Sequence, residues 1–279
     1  MANKKKDSVS GIRLSSYEER RKKVQQFDMT SDVFFCKVLE DKKACEEVIR
    51  IMLNEPALKV REVKAQYSIR NIENHSVVLD ILAEDTRGKL INIEMQIQDD
   101  GDHQRRVRYY HSSIDMSYHE KGVPYEALPD IYLIFITKRD FFKYRSGIYY
   151  VERILKDIGA TVDNGVHEIY ANLECPCDNE QIDELLSYMK HTDSHYQTDI
   201  FPNVVRKVRF FKEKEEGSES MCKILEEERR EGRIEGQKEG RERINELNRR
   251  LLKDGREVDI LKSLKEPGYQ ERLLMEYNL

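Results

Sequence analysis

No part of the chain approaches the roughly 18 to 20 consecutive apolar residues needed to span a bilayer, so no membrane partner is expected. The basic opening MANKKKDSVSGIR has no apolar segment after it, and the protein is expected in the cytoplasm. Cysteine is sparse. Cys36, Cys45, Cys175, Cys177 and Cys222 are odd in number and contain no C-x-x-C pair, a pattern that suits reduced thiols and argues against a disulfide framework. Cys175-Pro176-Cys177 is too isolated to make a zinc site. His191 and His195 have the i, i+4 spacing of a metal pair, but they sit in the polar segment KHTDSHYQ and are expected to be structural or exposed. An excess of basic charge is also missing: 48 Lys and Arg face 53 Asp and Glu, a net charge of −5. Any contact with nucleic acid must therefore rest on local patches rather than overall charge.

What the chain does have is charge unevenly divided along 279 residues, of which 39% are hydrophobic and 36% charged. Residues 1–26 are basic and are expected to form a flexible arm, with Lys4, Lys5, Lys6 and the Arg20 to Lys23 cluster adding unspecific electrostatic affinity. Residues 27–211 are acidic and long enough for one sizeable domain. Residues 212–250 repeat Glu-Gly every four positions, at Glu231-Gly232, Glu235-Gly236 and Glu239-Gly240. Each helical Gly costs about 1 kcal/mol relative to Ala, so a frayed helical linker is expected there. Residues 251–279 regain an apolar pattern and are expected to form a small helical unit with bends at Gly255 and Pro267-Gly268.

Within 27–211, Thr30 or Ser31 offers an N-cap ahead of DVFFCKVLEDKKACEEVIRIML, an amphipathic helix over 32–53 with a break suspected around Asp41 to Lys43. Three strands are expected at 58–69, 76–84 and 89–98, with Asp85 to Gly88 as the turn between the last two. A helix over 102–120 places Val107, Tyr110, Ile114 and Tyr118 on one stripe. The continuous apolar run at 129–138 reads as a buried strand. Further strands at 147–153 and 166–173 lead into helices at 179–190 and from about 200. The order predicts an α/β fold: a mixed central sheet flanked by helices, with a helical C-terminal extension.

The most informative stretch is VVLDILAEDTRGKLINIEMQIQ, residues 77–98. Asp80 interrupts one apolar strand and Glu94 the next, while Gln96 shares Glu94's face and Val78, Asp80 and Leu82 are expected to share another. Carboxylates inside apolar strands are costly unless paired or bound to a metal. Asp80 and Glu94 on paired strands, with the Met95 carbonyl beside them, form a candidate site for Mg²⁺ or Mn²⁺, hard cations that need few protein oxygens. Such an ion can serve phosphodiester hydrolysis. Each residue taken alone has a plain structural reading as well, for Glu94 a buried pair with an arginine. On the helix that follows, Arg105 and Arg108 lie at i, i+3 and could grip phosphates, with Arg106 turned elsewhere; a solvated charged face is the alternative.

These segments carry a resemblance. The early helix, Asp80, the tetrapeptide IEMQ at 93–96, RRVRYYHSSIDM at 105–116, IYLIFITKRDFF at 131–142 and the Glu-Gly repeats, in that order, resemble the PD-(D/E)XK nuclease superfamily. More narrowly, they resemble the bacterial Rpn family of recombination-promoting nucleases and transposases. The resemblance covers about residues 27 to 250 and implies a restriction-endonuclease-like core acting as a metal-dependent DNA endonuclease. It also implies an acidic residue from the first helix near the site, for which Asp32 is preferred over Glu47. Gln96 occupies the position where the superfamily usually has lysine. Glutamine can orient a water but has no charge for the transition state. A slow enzyme follows, or alternatively a weak or inactive DNA-binding or interaction module that forms homo-oligomers through its C-terminal helices.

Overall fold

The structure, a computed structural model, describes residues 17–70, 76–98, 101, 103–119 and 121–279. Two compact units divide the chain, Met1–Cys222 and Lys223–Leu279.

The first unit begins its main fold with helices α1 (Asp32–Leu39) and α2 (Lys42–Leu53). The break suspected in this segment is real. The Asp41 carboxylate accepts the amides of Lys43 and Ala44, both at 3.2 Å, and caps a new helix. Turning there buries Phe34, Phe35, Val38 and Leu39 of α1 together with Val48, Ile49 and Met52 of α2. Truncating one of these aromatics to alanine would cost roughly 3–5 kcal/mol. Ser31 holds the N-cap of α1 by backbone geometry, without a side-chain bond.

Strands β1 (Val60–Ile69), β2 (Val77–Asp85), β3 (Leu90–Gln96), β4 (Ile131–Thr137) and β5 (Ile148–Val151) follow, with β6 (Arg153–Leu155), β7 (Ala160–Val162) and β8 (Val166–Asn172) after them. Six of them form one sheet in the order β1-β2-β3-β4-β8-β5. Its β1-β2-β3 part is antiparallel and its β3-β4-β8 part parallel. β4 is apolar throughout because it is buried on both faces, with Ile131, Leu133, Ile134 and Ile136 inaccessible to solvent. β6 and β7 make a separate exposed hairpin, and exposure on every residue leaves no alternation for a sequence reading to detect.

Helix α3 (His103–Tyr118) covers the sheet through Val107 and Ile114, which join core clusters with Leu133, Phe135 and Tyr170, and with Leu82, Leu90 and Ile131. α1 touches β1 and β2, while α2 packs on α4 (Glu180–Lys190) and α5 (Pro202–Glu213). This is the mixed sheet flanked by helices that the sequence predicts. The expected basic arm divides: residues 1–16, with Lys4, Lys5 and Lys6, lie outside the described residues, whereas 17–25 are helical. Val24 is fully buried, and Tyr17 donates its hydroxyl to the Glu213 carbonyl at 2.5 Å.

The second unit contains most of α6 (Glu215–Lys253), then α7 (Glu257–Ser263) and α8 (Pro267–Glu276). Leu247, Leu251 and Leu273 form its core. The Glu-Gly repeat is a continuous helix, and Gly232, Gly236 and Gly240 face open space. No helix of the described residues is long and apolar enough to cross a membrane.

Candidate active site

The Asp85 to Gly88 turn sets the register on which the site depends. Asp85, fully buried, accepts the amides of Arg87 at 2.8 Å and Lys89 at 2.9 Å, and Gly88 takes φ 86°, which a side chain would resist. The β2–β3 ladder then runs from Glu84↔Leu90 to Ile81↔Ile93 and stops. One step further, Asp80 falls opposite Glu94. There the side chains take over the role of the ladder. Glu94 Oε1 accepts the Asp80 amide at 3.1 Å, and Asp80 Oδ2 accepts the Met95 amide at 3.0 Å. Buried amides left by the end of a ladder need partners, and here each acid satisfies the backbone of the opposite strand.

Regular alternation fails at the same point. Val78, Asp80 and Leu82 were expected on one face, yet Val78 is 50% exposed, and Leu79 and Leu82, three residues apart, lie in one core cluster. The cause lies in β1. The pairs Ala65↔Ile81 and Tyr67↔Leu79 leave Gln66 opposite Asp80, and Gln66 is left-handed at φ 50°. A left-handed residue inside a strand breaks the two-residue repeat. Asp80 is thereby directed toward Gln66, whose amide nitrogen is 3.4 Å from Asp80 Oδ1 and 3.0 Å from Cys36 Sγ on α1.

The electrostatics are those of acids crowded together under partial exclusion of water. Burial raises the Asp80 pKa to about 6, the Met95 amide opposes the shift, and the Asp32 charge adds to it. Glu94 is buried more deeply, and burial and then the Asp80 charge push its pKa well above the usual carboxylate range. Asn92 donates to Glu94 Oε1 at 2.6 Å, and the Arg106 charge also acts to lower the Glu94 pKa. Burial, then the Asp80 charge, pushes the Cys36 thiol up to about 12, so it stays a neutral thiol at physiological pH.

The two candidates on the early helices separate cleanly. Glu47 accepts the amides of Asn203 and Val204 at 2.8 and 3.0 Å and thus caps α5. Asp32 is exposed as a residue, but its carboxyl is desolvated enough to raise its pKa, and its charge reaches both Asp80 and Cys36. Of the two, Asp32 is the one whose charge acts on Asp80.

Gln96 is held at both ends. Its amide donates to the Gln98 carbonyl at 3.0 Å, and its Oε1 accepts from Arg106 Nη1 at 2.5 Å. Arg106, expected to point elsewhere, is thus the arginine that α3 turns inward, while Arg105 and Arg108 are exposed. Helical spacing relates residues on one helix to each other, but the side that faces the sheet is decided by where Val107 and Ile114 pack. Gln96 also borders a cavity of about 290 Å³ at the carboxyl ends of β3 and β4, lined in addition by His103, Lys138, Arg139 and Phe141. Lys138 and Arg139 carry no periodic signal, and only the parallel pairing of β3 with β4 brings them to Gln96. His191 and His195 do not form a pair: α4 ends at Lys190, and His195 lies 3.3 Å from Glu213.

Among the described residues, no three His, Cys, Asp or Glu side chains converge as a metal-binding group. The donor set at Asp80 and Glu94 fits a hard divalent cation of the kind that keeps most of its own water. It offers only oxygens, from two carboxylates and the neighbouring Met95 carbonyl, and the raised pKa values reflect burial first and then neighbouring negative charge, both of which a cation would offset.

A six-stranded mixed sheet flanked by helices, with two acids meeting where adjacent strands part, defines a restriction-endonuclease-like fold. The family model described as PD-(D/E)XK nuclease family transposase matches residues 34–190, and the chain belongs to that family. No curated protein and no solved structure matches it.

Proposed function

We propose that this protein is a metal-dependent DNA endonuclease of the recombination-promoting, transposase-associated type, which hydrolyses phosphodiester bonds. The observation that carries this reading is the mutual engagement of Asp80 and Glu94 at the end of the β2–β3 ladder, with both pKa values raised. Asp80, Glu94 and the Met95 carbonyl would hold Mg²⁺ or Mn²⁺. Such an ion supplies a water of lowered pKa and a Lewis acid for the phosphoryl oxygens.

The remaining tasks fall to the chain itself. Gln96 has no charge, but a side-chain amide can orient a water by hydrogen bonds. Arg106 supplies the positive charge that a lysine at position 96 would have brought, through a guanidinium suited to phosphate oxygens. Asp32 holds the Asp80 pKa up and serves as the auxiliary acid. Arg105 and Arg108 are exposed on α3 and engage the DNA backbone.

The test is plasmid cleavage by the purified full chain with Mg²⁺ or Mn²⁺, comparing wild type with Asp80→Ala and Glu94→Ala. Nicking by wild type and none by either variant is expected; equal nicking by all three sinks the reading. A second reading is a catalytically weak DNA-binding module that self-associates through its C-terminal helices. It draws on the exposed side chains of Val258, Leu261, Leu264 and Met275. Saturable DNA binding without cleavage under any metal, together with a concentration-dependent oligomer in light scattering, would favour it.

A further inference from the structure

The segment joining β4 to β5 reads Lys138-Arg139-Asp140-Phe141-Phe142-Lys143-Tyr144-Arg145. It carries four cations and one carboxylate inside an otherwise acidic domain. The carboxylate is internal to the loop. Asp140 Oδ1 accepts the Lys143 amide at 3.0 Å, its Oδ2 accepts the Arg145 amide at 2.8 Å, and its own amide donates to Glu174 at 2.9 Å. This hub holds Lys143 and Arg145 in the left-handed region, at φ 63° and 62°. Neither is glycine, so each conformation costs energy that the surrounding bonds must offset.

The aromatic residues of the loop divide by role. Phe141 and Phe142 pack inward on Tyr170, with ring centroids 5.4 and 5.3 Å away. Tyr144, flanked by the two left-handed cations, is 80% exposed. Its ring meets the Tyr149 ring at a steep angle with centroids 6.5 Å apart, and most of its surface remains in solvent. At one end the segment reaches the candidate active site, because Arg139 and Phe141 line the cavity bordered by Gln96. At the other, Phe142, Lys143 and Tyr144 share a cleft of about 690 Å³ with Arg105 of α3.

We propose that this loop is a platform for single-stranded DNA adjoining the cleavage site, with an unpaired base stacked on Tyr144 and its phosphates held by Lys143, Arg145 and Arg105. The inference deepens the nuclease reading and rests on it for the identity of the polymer. The choice of single strand follows from the ring. A cationic groove alone serves duplex and single strand alike, whereas an exposed aromatic face gains from a base only when that base is unstacked from its neighbours. The substrate would then be a DNA end, flap or locally opened duplex.

The test is fluorescence anisotropy of the full chain in EDTA, which suppresses cleavage. The probes are a labelled mixed-sequence single strand of about 20 nucleotides, which exceeds common single-strand site sizes, and the same strand annealed to its complement. Tyr144→Ala is expected to weaken single-strand binding about tenfold, the range of one lost base stack, and to leave duplex binding unchanged. Tyr144→Phe should bind as wild type does. Because the side chain is exposed, the melting temperature should not move. Absence of single-strand binding by wild type, unchanged affinity in Tyr144→Ala, or an equal loss for both DNA forms overturns the proposal. Asp80→Ala separates the two claims: Tyr144-dependent binding with cleavage indifferent to Asp80 removes the nuclease site and leaves the platform, and the reverse pattern removes the platform alone.

Discussion

Gln66 and Asp80 face each other across the β1–β2 ladder, with Gln66 in a left-handed backbone conformation and its amide 3.4 Å from Asp80 Oδ1. A non-glycine residue held this way costs roughly 1–2 kcal/mol, and such strain persists only where the surroundings enforce it. Here it frees Asp80 from the alternation that would otherwise align it with Val78 and Leu82.

Gln66 therefore has an unusual substitution order. In an ordinary strand alanine is more stable than glycine by about 0.5–1 kcal/mol. At position 66 glycine should be the more stable, by about 1 kcal/mol, as read from urea denaturation. Both variants should bind Mn²⁺ more weakly than wild type in calorimetry, since Asp80 loses its amide partner. Alanine exceeding glycine in stability would show that the left-handed conformation is not maintained.

The pH dependence follows from the raised acids. Asp80 titrates at about 6 in the fold and near 3.8 when unfolded, so between these values the folded state holds the extra proton. Metal-free protein is then stabilised at low pH, and this contribution is lost as pH rises through about 6; Glu94, shifted in the same direction, continues the loss. Asp80→Asn should be more stable than metal-free wild type at pH 8 by on the order of 1–2 kcal/mol. The advantage should vanish near pH 4. Added Mn²⁺ should raise the melting temperature of wild type but not of the variant. Parallel melting curves for both proteins across this pH range would contradict the argument.

Arg106 should matter more than its neighbours. Arg106→Gln is expected to lower cleavage about 10- to 100-fold through loss of transition-state charge. Adding Gln96→Lys to that variant should recover part of the loss. Arg105→Gln and Arg108→Gln should act mainly on DNA affinity and its salt dependence. An Arg106→Gln enzyme with unchanged turnover at saturating DNA would remove Arg106 from the reaction.

Asp32 and Glu47 should fail in different ways. Glu47→Ala leaves the amides of Asn203 and Val204 unsatisfied and should destabilise the fold by about 1–2 kcal/mol, with little effect on cleavage per folded molecule. Asp32→Asn should barely change stability, but it removes a charge that raises the Asp80 pKa. The acidic limb of the pH–rate profile should then move to lower pH. Identical profiles for wild type and Asp32→Asn would place Asp32 outside the site.

Much of this was legible along the chain because strong local signals coincide with burial. The run at Ile131–Thr137 is apolar on both faces because the strand is covered on both, and Asp85 and Gly88 specify a turn that fixes the β2–β3 register. Asp80 and Glu94 stand out for the same reason: a carboxylate in an apolar strand is conspicuous. Gln66 was not legible. Nothing in the segment VREVKAQYSI announces a left-handed residue at its seventh position, and its side-chain partners, Asp80 and Cys36, lie far away in sequence. Lys138 and Arg139 read as the charged boundary of a strand, and Arg106 as a cation turned away from the face of Arg105 and Arg108.

The sequence by itself determined the order of the core elements, the mixed sheet and the pair of acids in its apolar strands, since burial and periodicity are properties of neighbours along a chain. The tertiary structure alone decided which helix acid acts on Asp80, which arginine meets Gln96, and which loop lines the neighbouring cavity. Those choices depend on how helices rotate against the sheet and on which strand ends align in parallel, and both are set by packing between segments remote in sequence.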